Sequence, residues 1–350
     1  MKSDVIIIGG GLAGLTTAWL LEKKGIKPTI LEARDRLGGR IHTIRKSGEA
    51  PVEMGATWLG PQHRFLIELL DELGVKRTDQ KMGDKAFYEY ISTAPPQLVQ
   101  LPPNDHPTWR INGGSDRLIN ALAKNLQSSI IKLNQPVKTV RKNEQLTVET
   151  NSNRFDADYV VATLPPKLLV ETISFEPELP DQFMNIARNS HTWMGESIKV
   201  GMTYSKPFWE DENLSGTIMS NVGPVNEMYD HSDPANNLFA LKGFLNGAYA
   251  SVSREKRKEV VLNQLRRYYG QKADHYLTYT ETVWRHEPYT FVEYENSVLP
   301  HQNNGNSEYQ HAYWNGKLLF AGAETSPVSP GYMDGAVESA GRVVKQIEEN

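Results

Sequence analysis

Three glycines and one acid near the start of the chain are spaced for chemistry. Gly9, Gly11 and Gly14 lie in the run Gly9-Gly10-Gly11-Leu12-Ala13-Gly14, and Glu32 follows. Gly9 allows a tight turn, Gly11 lets a pyrophosphate approach the backbone, and Gly14 lets a helix pack closely on a strand. Phosphates held there meet free N–H groups at the positive end of a helix. Glu32 can accept both hydroxyls of an adenosine ribose. The elements that must position these groups can also be read. Asp4 to Ile8 is a short apolar, β-branched run that suits a buried parallel strand. Leu12 to Lys24 is a helical pattern closed by Gly25, and Pro28 to Leu31 is a second strand with Glu32 at its end. Strand, glycine turn, helix, strand and acid in this order form a dinucleotide-binding unit.

The dinucleotide that fits best is FAD. After Glu32 the chain reads Ala33-Arg34-Asp35-Arg36-Leu37-Gly38-Gly39-Arg40. An NAD domain has no use for a second glycine pair flanked by arginines, whereas the pyrophosphate of a buried FAD is enclosed on both sides. Gly38 and Gly39 let the backbone close over it, while Arg34 and Arg40 supply charge-assisted donors. The run EARDRLGGR resembles the flavin-containing amine oxidases, the family of monoamine and polyamine oxidases. That resemblance implies an α/β fold: a Rossmann-type FAD-binding domain with a discontinuous, smaller α+β substrate domain. The expected division is 1–60, 112–190 and 284–350 for the FAD-binding domain, with 61–111 and 191–283 for the substrate domain.

Further stretches carry the same resemblance. Val52 to Pro61 is similar to the family segment that passes under the flavin, which assigns Gly55, Ala56 and Thr57 to the cofactor, as it does Ala33. Val137 matches a strand valine whose backbone meets the adenine edge. Near the C-terminus, Gly322-Ala323-Glu324-Thr325 and Gly331-Tyr332-Met333-Asp334-Gly335 resemble the motif that closes over the flavin. The resemblance gives Gly322, Glu324, Gly331, Tyr332 and Met333 to cofactor binding, with Glu324 accepting from ribityl hydroxyls. The helix that follows turns its positive end toward the ring, where reduction places negative charge.

For catalysis the resemblance implies three residues. Lys199, flanked by Ile198 and Val200, matches the lysine that holds a water at flavin N5 and assists reoxidation by O2. Tyr294 and Tyr332 match two aromatics that guide the amine between their faces. Monoamine oxidases attach their flavin through a cysteine at the position of Glu293, and this chain has no cysteine, so FAD is expected to be non-covalent.

Composition narrows the class. With 350 residues, a net charge of −4 and a mean hydropathy of −0.50, the chain can bury a large core and lacks the basic excess of a nucleic-acid binder. The absence of cysteine excludes disulfides and thiolate metal sites, and the histidines are scattered, so no metal is expected. No signal peptide or membrane span is read, which makes a cytoplasmic location the default. Residues 92–107 are proline-rich and read as loop. Most of the long helical section that monoamine oxidases carry before the Gly113-Gly114 motif is absent here. Ser253 to Tyr269 reads as a basic amphipathic helix with Val261, Leu265 and Tyr268 inward.

The expected reaction is oxidation of an amine to an imine, with O2 as acceptor giving hydrogen peroxide. The hard step belongs to the flavin. An L-amino-acid oxidase or desaturase-like flavoprotein of the same superfamily, and a flavin-binding protein without oxidase turnover, are the competing readings. Ala56-Thr57 stand where an amino-acid oxidase places a carboxylate-binding arginine after the glycine. The amine and the oligomeric state stay open.

Overall fold

Val5, Ile6 and Ile7 have no exposed surface, because the strand that carries them is covered on both faces. In the computed structural model, which describes residues 2–102 and 106–350, this strand spans Lys2–Ile8. It pairs in parallel with Pro28–Leu31 on one side and with Arg154–Ala162 on the other. Ile130–Lys132 and Leu318–Phe320 extend the parallel set at its two ends. Arg154–Ala162 also turns antiparallel to Leu146–Thr150, which leads to Val137–Lys142 and Ser174–Glu176, for eight strands in all.

Helices Leu12–Lys23, Asp116–Asn125 and Met333–Glu348 share one core on a face of this sheet. Helix Arg64–Glu72 joins the same core through Leu66, Leu69 and Leu70. On the other face, Leu169, Phe183, Tyr309 and Phe320 pack in a second core.

A separate seven-stranded sheet runs in the order Tyr276–Val283, Ile198–Tyr204, Phe239–Leu245, Val225–Asp230, Thr217–Ser220, Lys85–Glu89 and Gln97–Gln100. Helix Arg254–Tyr269 covers it and buries Val261, Leu265 and Tyr268, as its periodicity requires. The strand Gln97–Gln100 corrects the reading of 92–107 as loop throughout. Its partner Lys85–Glu89 supplies the ladder that the proline-rich flanks conceal. The part of that stretch at residues 103–105 lies outside the described residues.

Candidate active site

The glycine turn sits at the carboxyl end of the first strand, where α/β sheets bind ligands. Gly9 has φ +109°, a conformation that side chains with a Cβ rarely adopt. A Cβ on Gly14 would lie 2.0 Å from the carbonyl oxygen of Gly9, so helix and turn touch backbone to backbone. Helix Leu12–Lys23 begins at Gly11 with no side chain capping it. The second glycine pair faces the first: Gly38 N donates to Gly10 O at 2.9 Å, and Gly11 and Gly38 form an isolated parallel bridge.

A cavity of about 950 Å3 opens between these turns and runs to the second sheet. Most residues singled out from the sequence line it: Gly9, Gly11, Glu32, Ala33, Arg34, Gly38, Gly39, Arg40, Gly55, Ala56, Thr57, Val137, Lys199, Gly322, Gly331, Tyr332 and Met333. Gly14, Glu324 and Tyr294 do not line it. Gly14 is one layer behind, in the helix packing.

Several of these side chains have partners that the sequence does not reveal. Glu32 is 4 % exposed; its Oε2 accepts from Gly10 N at 2.6 Å and its Oε1 from Arg34 N at 2.9 Å. It therefore braces the turn, and each oxygen keeps a further lone pair. Arg34 reaches Glu287 Oε2 at 3.1 Å and Thr290 Oγ1 at 2.8 Å. Arg40 grips both oxygens of Glu324, at 2.6 and 2.7 Å, while Glu324 Oε1 also accepts from Trp193 N at 3.1 Å. Gly55 is required by its own chain, since a Cβ there would lie 2.1 Å from Arg40 O.

At the far end, Lys199 rises from strand Ile198–Tyr204 and is 5 % exposed. Its Nζ donates to Gly55 O and stands 4.9 Å from the centre of the Phe244 ring. Burial pulls its pKa down from 10.5 to about 8, against the raising influence of Glu53 and Lys242. Tyr332 precedes the C-terminal helix and lines the cavity, with His63 at 5.6 Å, Trp193 at 5.9 Å and a stacked His301 at 5.9 Å between ring centres. Tyr294 is elsewhere. Its hydroxyl accepts from Thr192 N at 2.8 Å and its ring packs on Phe291 and His191. Of the rings around Tyr332, Trp193 is the one that also lines the cavity. Glu293, where the attachment cysteine would stand, pairs with Arg285 at the surface.

Sequence reasoning passed over Trp193, Trp58, Asn226, Glu227 and Phe244, all in the cavity wall, and Lys242 just behind it. Lys242 shares with Lys199 the setting of a lysine inside an apolar strand (Ala240-Leu241-Lys242-Gly243-Phe244), a signal that could have found it. The others have no local signal: Glu227 meets Phe244 through strand register, while Trp58 and Trp193 reach the wall from outside that sheet.

These residues suit FAD. The uncapped helix start faces the cavity with two glycine turns that leave no Cβ in the way: the nearest atoms to a Cβ on Gly11 are 3.9 Å off, both from the opposing turn. Arg34 and Arg40 flank that gap, Val137 lies near one end, and Lys199 and Tyr332 line the other. Among the described residues, no group of three or more His, Cys, Asp or Glu is placed to hold a metal ion. No helix among them is long and apolar enough to cross a membrane.

Comparison with known proteins agrees with this geometry. The model of the family described as flavin containing amine oxidoreductase matches residues 12–105 and 90–348. A probable flavin-containing monoamine oxidase A of Dictyostelium discoideum is 28 % identical, with 99 % of this chain and 97 % of that protein covered. Flavin-containing amine oxidase A of Sus scrofa is 26 % identical over 98 % of this chain and 84 % of its own length. The Dictyostelium alignment runs over 449 positions against 350 residues here, so the relative carries a substantial length without a counterpart. Among solved structures, putrescine oxidase bound to putrescine superposes with a TM-score of 0.86 at 24 % identity, covering 100 % of both chains. Cyclohexylamine oxidase from Brevibacterium oxydans gives 0.84 at 20 % identity, covering 99 % of this chain and 100 % of that one. These two likenesses carry the fold.

Proposed function

The chain belongs to the flavin containing amine oxidoreductases, FAD-dependent enzymes of small-molecule amines, and on that premise we propose that it oxidises an amine to the imine with O2 as acceptor. The observation that carries this reading is one continuous cavity, which joins the glycine turns to a buried lysine and an aromatic wall. When bound, FAD supplies the two-electron acceptor. Hydrolysis of the imine then completes the balance: amine, O2 and water give a carbonyl compound, hydrogen peroxide and ammonia or a smaller amine.

The chain's own residues orient and exclude. Tyr332, Trp193, Trp58 and Phe244 offer ring faces that suit a cationic or neutral amine and shed water. Lys199, fixed at Gly55 O, places an amine head group among these rings, where it can hold a water or a proton. With Glu293 at the attachment position and no cysteine in the chain, FAD is held without a covalent bond to sulfur.

The wall also points to a kind of amine. Register places Lys199 opposite Phe244, and Phe244 opposite Glu227, on three neighbouring strands. With strands about 4.8 Å apart, the Cα of Glu227 stands on the order of 10 Å from that of Lys199. A carboxylate at this remove suits an amine with a second positive charge a few carbons away.

The test is an amine panel in an oxygen electrode with peroxide detection. The proposal expects at least one amine to be consumed with one peroxide formed per O2. If no amine is consumed although FAD is bound, the oxidase reading fails.

A further inference from the structure

Lys242 is a buried ionisable group with no part in the account above. Its side chain has no exposed surface, and it sits on strand Phe239–Leu245 beside the strand of Lys199. Register pairs Lys199 with Phe244 and Gly201 with Lys242. Residues two apart on a strand share a face, so both lysines rise on the same side. Gly201 keeps the place opposite Lys242 free of a side chain: a Cβ there would lie 2.3 Å from Val52 Cγ1. The head groups converge on the same rings. Lys242 Nζ is 3.9 Å and Lys199 Nζ 5.9 Å from the centre of Trp58.

The two head groups lie over the same two rings, with Lys199 Nζ 4.9 Å and Lys242 Nζ 5.7 Å from the centre of Phe244, and each shifts the other's protonation. Lys199 also donates to Gly55 O, Lys242 donates to Thr57 Oγ1, and Thr57 Oγ1 donates to Gly55 O at 3.1 Å. These bonds link Lys242 through Thr57 and Gly55 to Lys199, with Lys242 behind the cavity wall that the other three line. An ammonium has three donors and no lone pair. Two ammonium groups side by side would only repel, whereas one uncharged amine can accept an N–H of the other. The surrounding charges agree. The acid facing the pair is Glu53, 2 % exposed, with Oε1 taken by Thr43 and Ser115 and Oε2 without a hydrogen-bond partner. Arg110 adds a positive charge that acts on Lys242, and His231, which joins Arg110 at 2.9 Å and Glu53 N at 3.3 Å, is held neutral by burial. Arg110 has Asp230 as a further acid, so Glu53 is the one carboxylate left facing two buried lysines, too little charge for two ammonium groups.

We propose that Lys242 is a positioning residue for Lys199: it accepts a Lys199 N–H, donates to Thr57, and leaves the one positive charge of the pair on the cavity side. This rests on the reading of Lys199 as a working residue of the oxidase site. Lys199 lines the cavity and Lys242 does not, which sets the direction.

Lysine labelled with 13C and 15N in the FAD-loaded protein tests this by NMR. At pH 7 one lysine is expected at the shift of a neutral amine, and that signal disappears in Lys242→Met. In the same variant Lys199 loses its acceptor, so its titration moves down by about one pH unit. The pH profile of amine oxidation follows by the same amount while FAD content is kept. Lys242→Arg, permanently charged, does not restore the profile. The proposal is overturned if every lysine of the parent stays charged through pH 9. It is equally overturned if Lys242→Met leaves both the Lys199 titration and the pH profile in place. Should Lys242→Met fail to fold, the parent spectrum alone decides. Failure of the underlying reading looks different: Lys199→Met would oxidise amine at the parental rate, with the neutral lysine signal still present.

Discussion

Arg40 and Glu324 close on each other through two parallel hydrogen bonds, 2.6 and 2.7 Å long, and tie the N-terminal glycine turns to the C-terminal motif. Glu324 is 1 % exposed, so the pair is buried on the acid's side. Removing Arg40 leaves an uncompensated carboxylate, which costs about 3–5 kcal/mol. Arg40→Met is therefore expected to lower the unfolding midpoint markedly and to release FAD. Glu324→Gln, which keeps hydrogen bonding without the charge, should cost less. Equal losses in thermal unfolding for the two variants would show that the charge pairing does not matter.

Tyr332 and Tyr294 should separate in function. Tyr332 faces the cavity, whereas the Tyr294 hydroxyl is spent on Thr192 N. Tyr332→Ala is expected to slow anaerobic bleaching of the flavin by amine at least tenfold with FAD content intact. Tyr294→Phe should leave that rate within about twofold and cost about 1 kcal/mol of stability through the lost acceptor. Stopped-flow absorbance and thermal melts of both variants check this, and a slow Tyr294→Phe would return that ring to the site.

How much of this could be read from the chain followed from how local each feature is. The glycine turns and Glu32 are legible from their spacing, and the C-terminal motif from its resemblance to a family motif, because each is local in the chain. Lys199 is legible through the family resemblance, and the apolar neighbours on either side speak against a solvent-facing strand lysine. Trp193 comes beside Tyr332 only through the tertiary fold, with its backbone N–H on Glu324 Oε1 across 131 positions. Glu227 reaches the cavity through register with Phe244, which no spacing in the sequence encodes. Tyr294 differs in kind: its position matches the family pattern, and a hydrogen bond to Thr192 N, 102 positions away, decides where its hydroxyl points.

Stability should depend on pH through Lys199. Its pKa is about 8 in the folded protein against 10.5 as the ordinary value. Between those values the unfolded chain binds the extra proton, so stability rises with pH across that window. Below pH 8 the full cost of burying the charge is present, on the order of 3 kcal/mol. Lys199→Met removes the charge and keeps the stem. It should be more stable than the parent at pH 7, with the gain shrinking toward pH 10.5. Denaturant unfolding across that range measures it, and a gain that grows with pH would contradict the assignment.

Glu227 should set substrate preference. Glu227→Gln is expected to raise KM for an α,ω-diamine at least tenfold and to change KM for a monoamine of similar length by less than threefold. Steady-state kinetics on the matched pair decide, and equal changes for both amines would remove Glu227 from recognition.

The most direct measurement mixes the FAD-loaded protein anaerobically with an amine that it consumes, and then admits O2. The account predicts bleaching of the flavin by one equivalent of amine, full return of colour with one peroxide, and a return roughly a hundredfold slower in Lys199→Met, the loss typical of one electrostatic contact. A flavin that no amine bleaches, in a folded and loaded protein, would contradict the oxidase assignment outright.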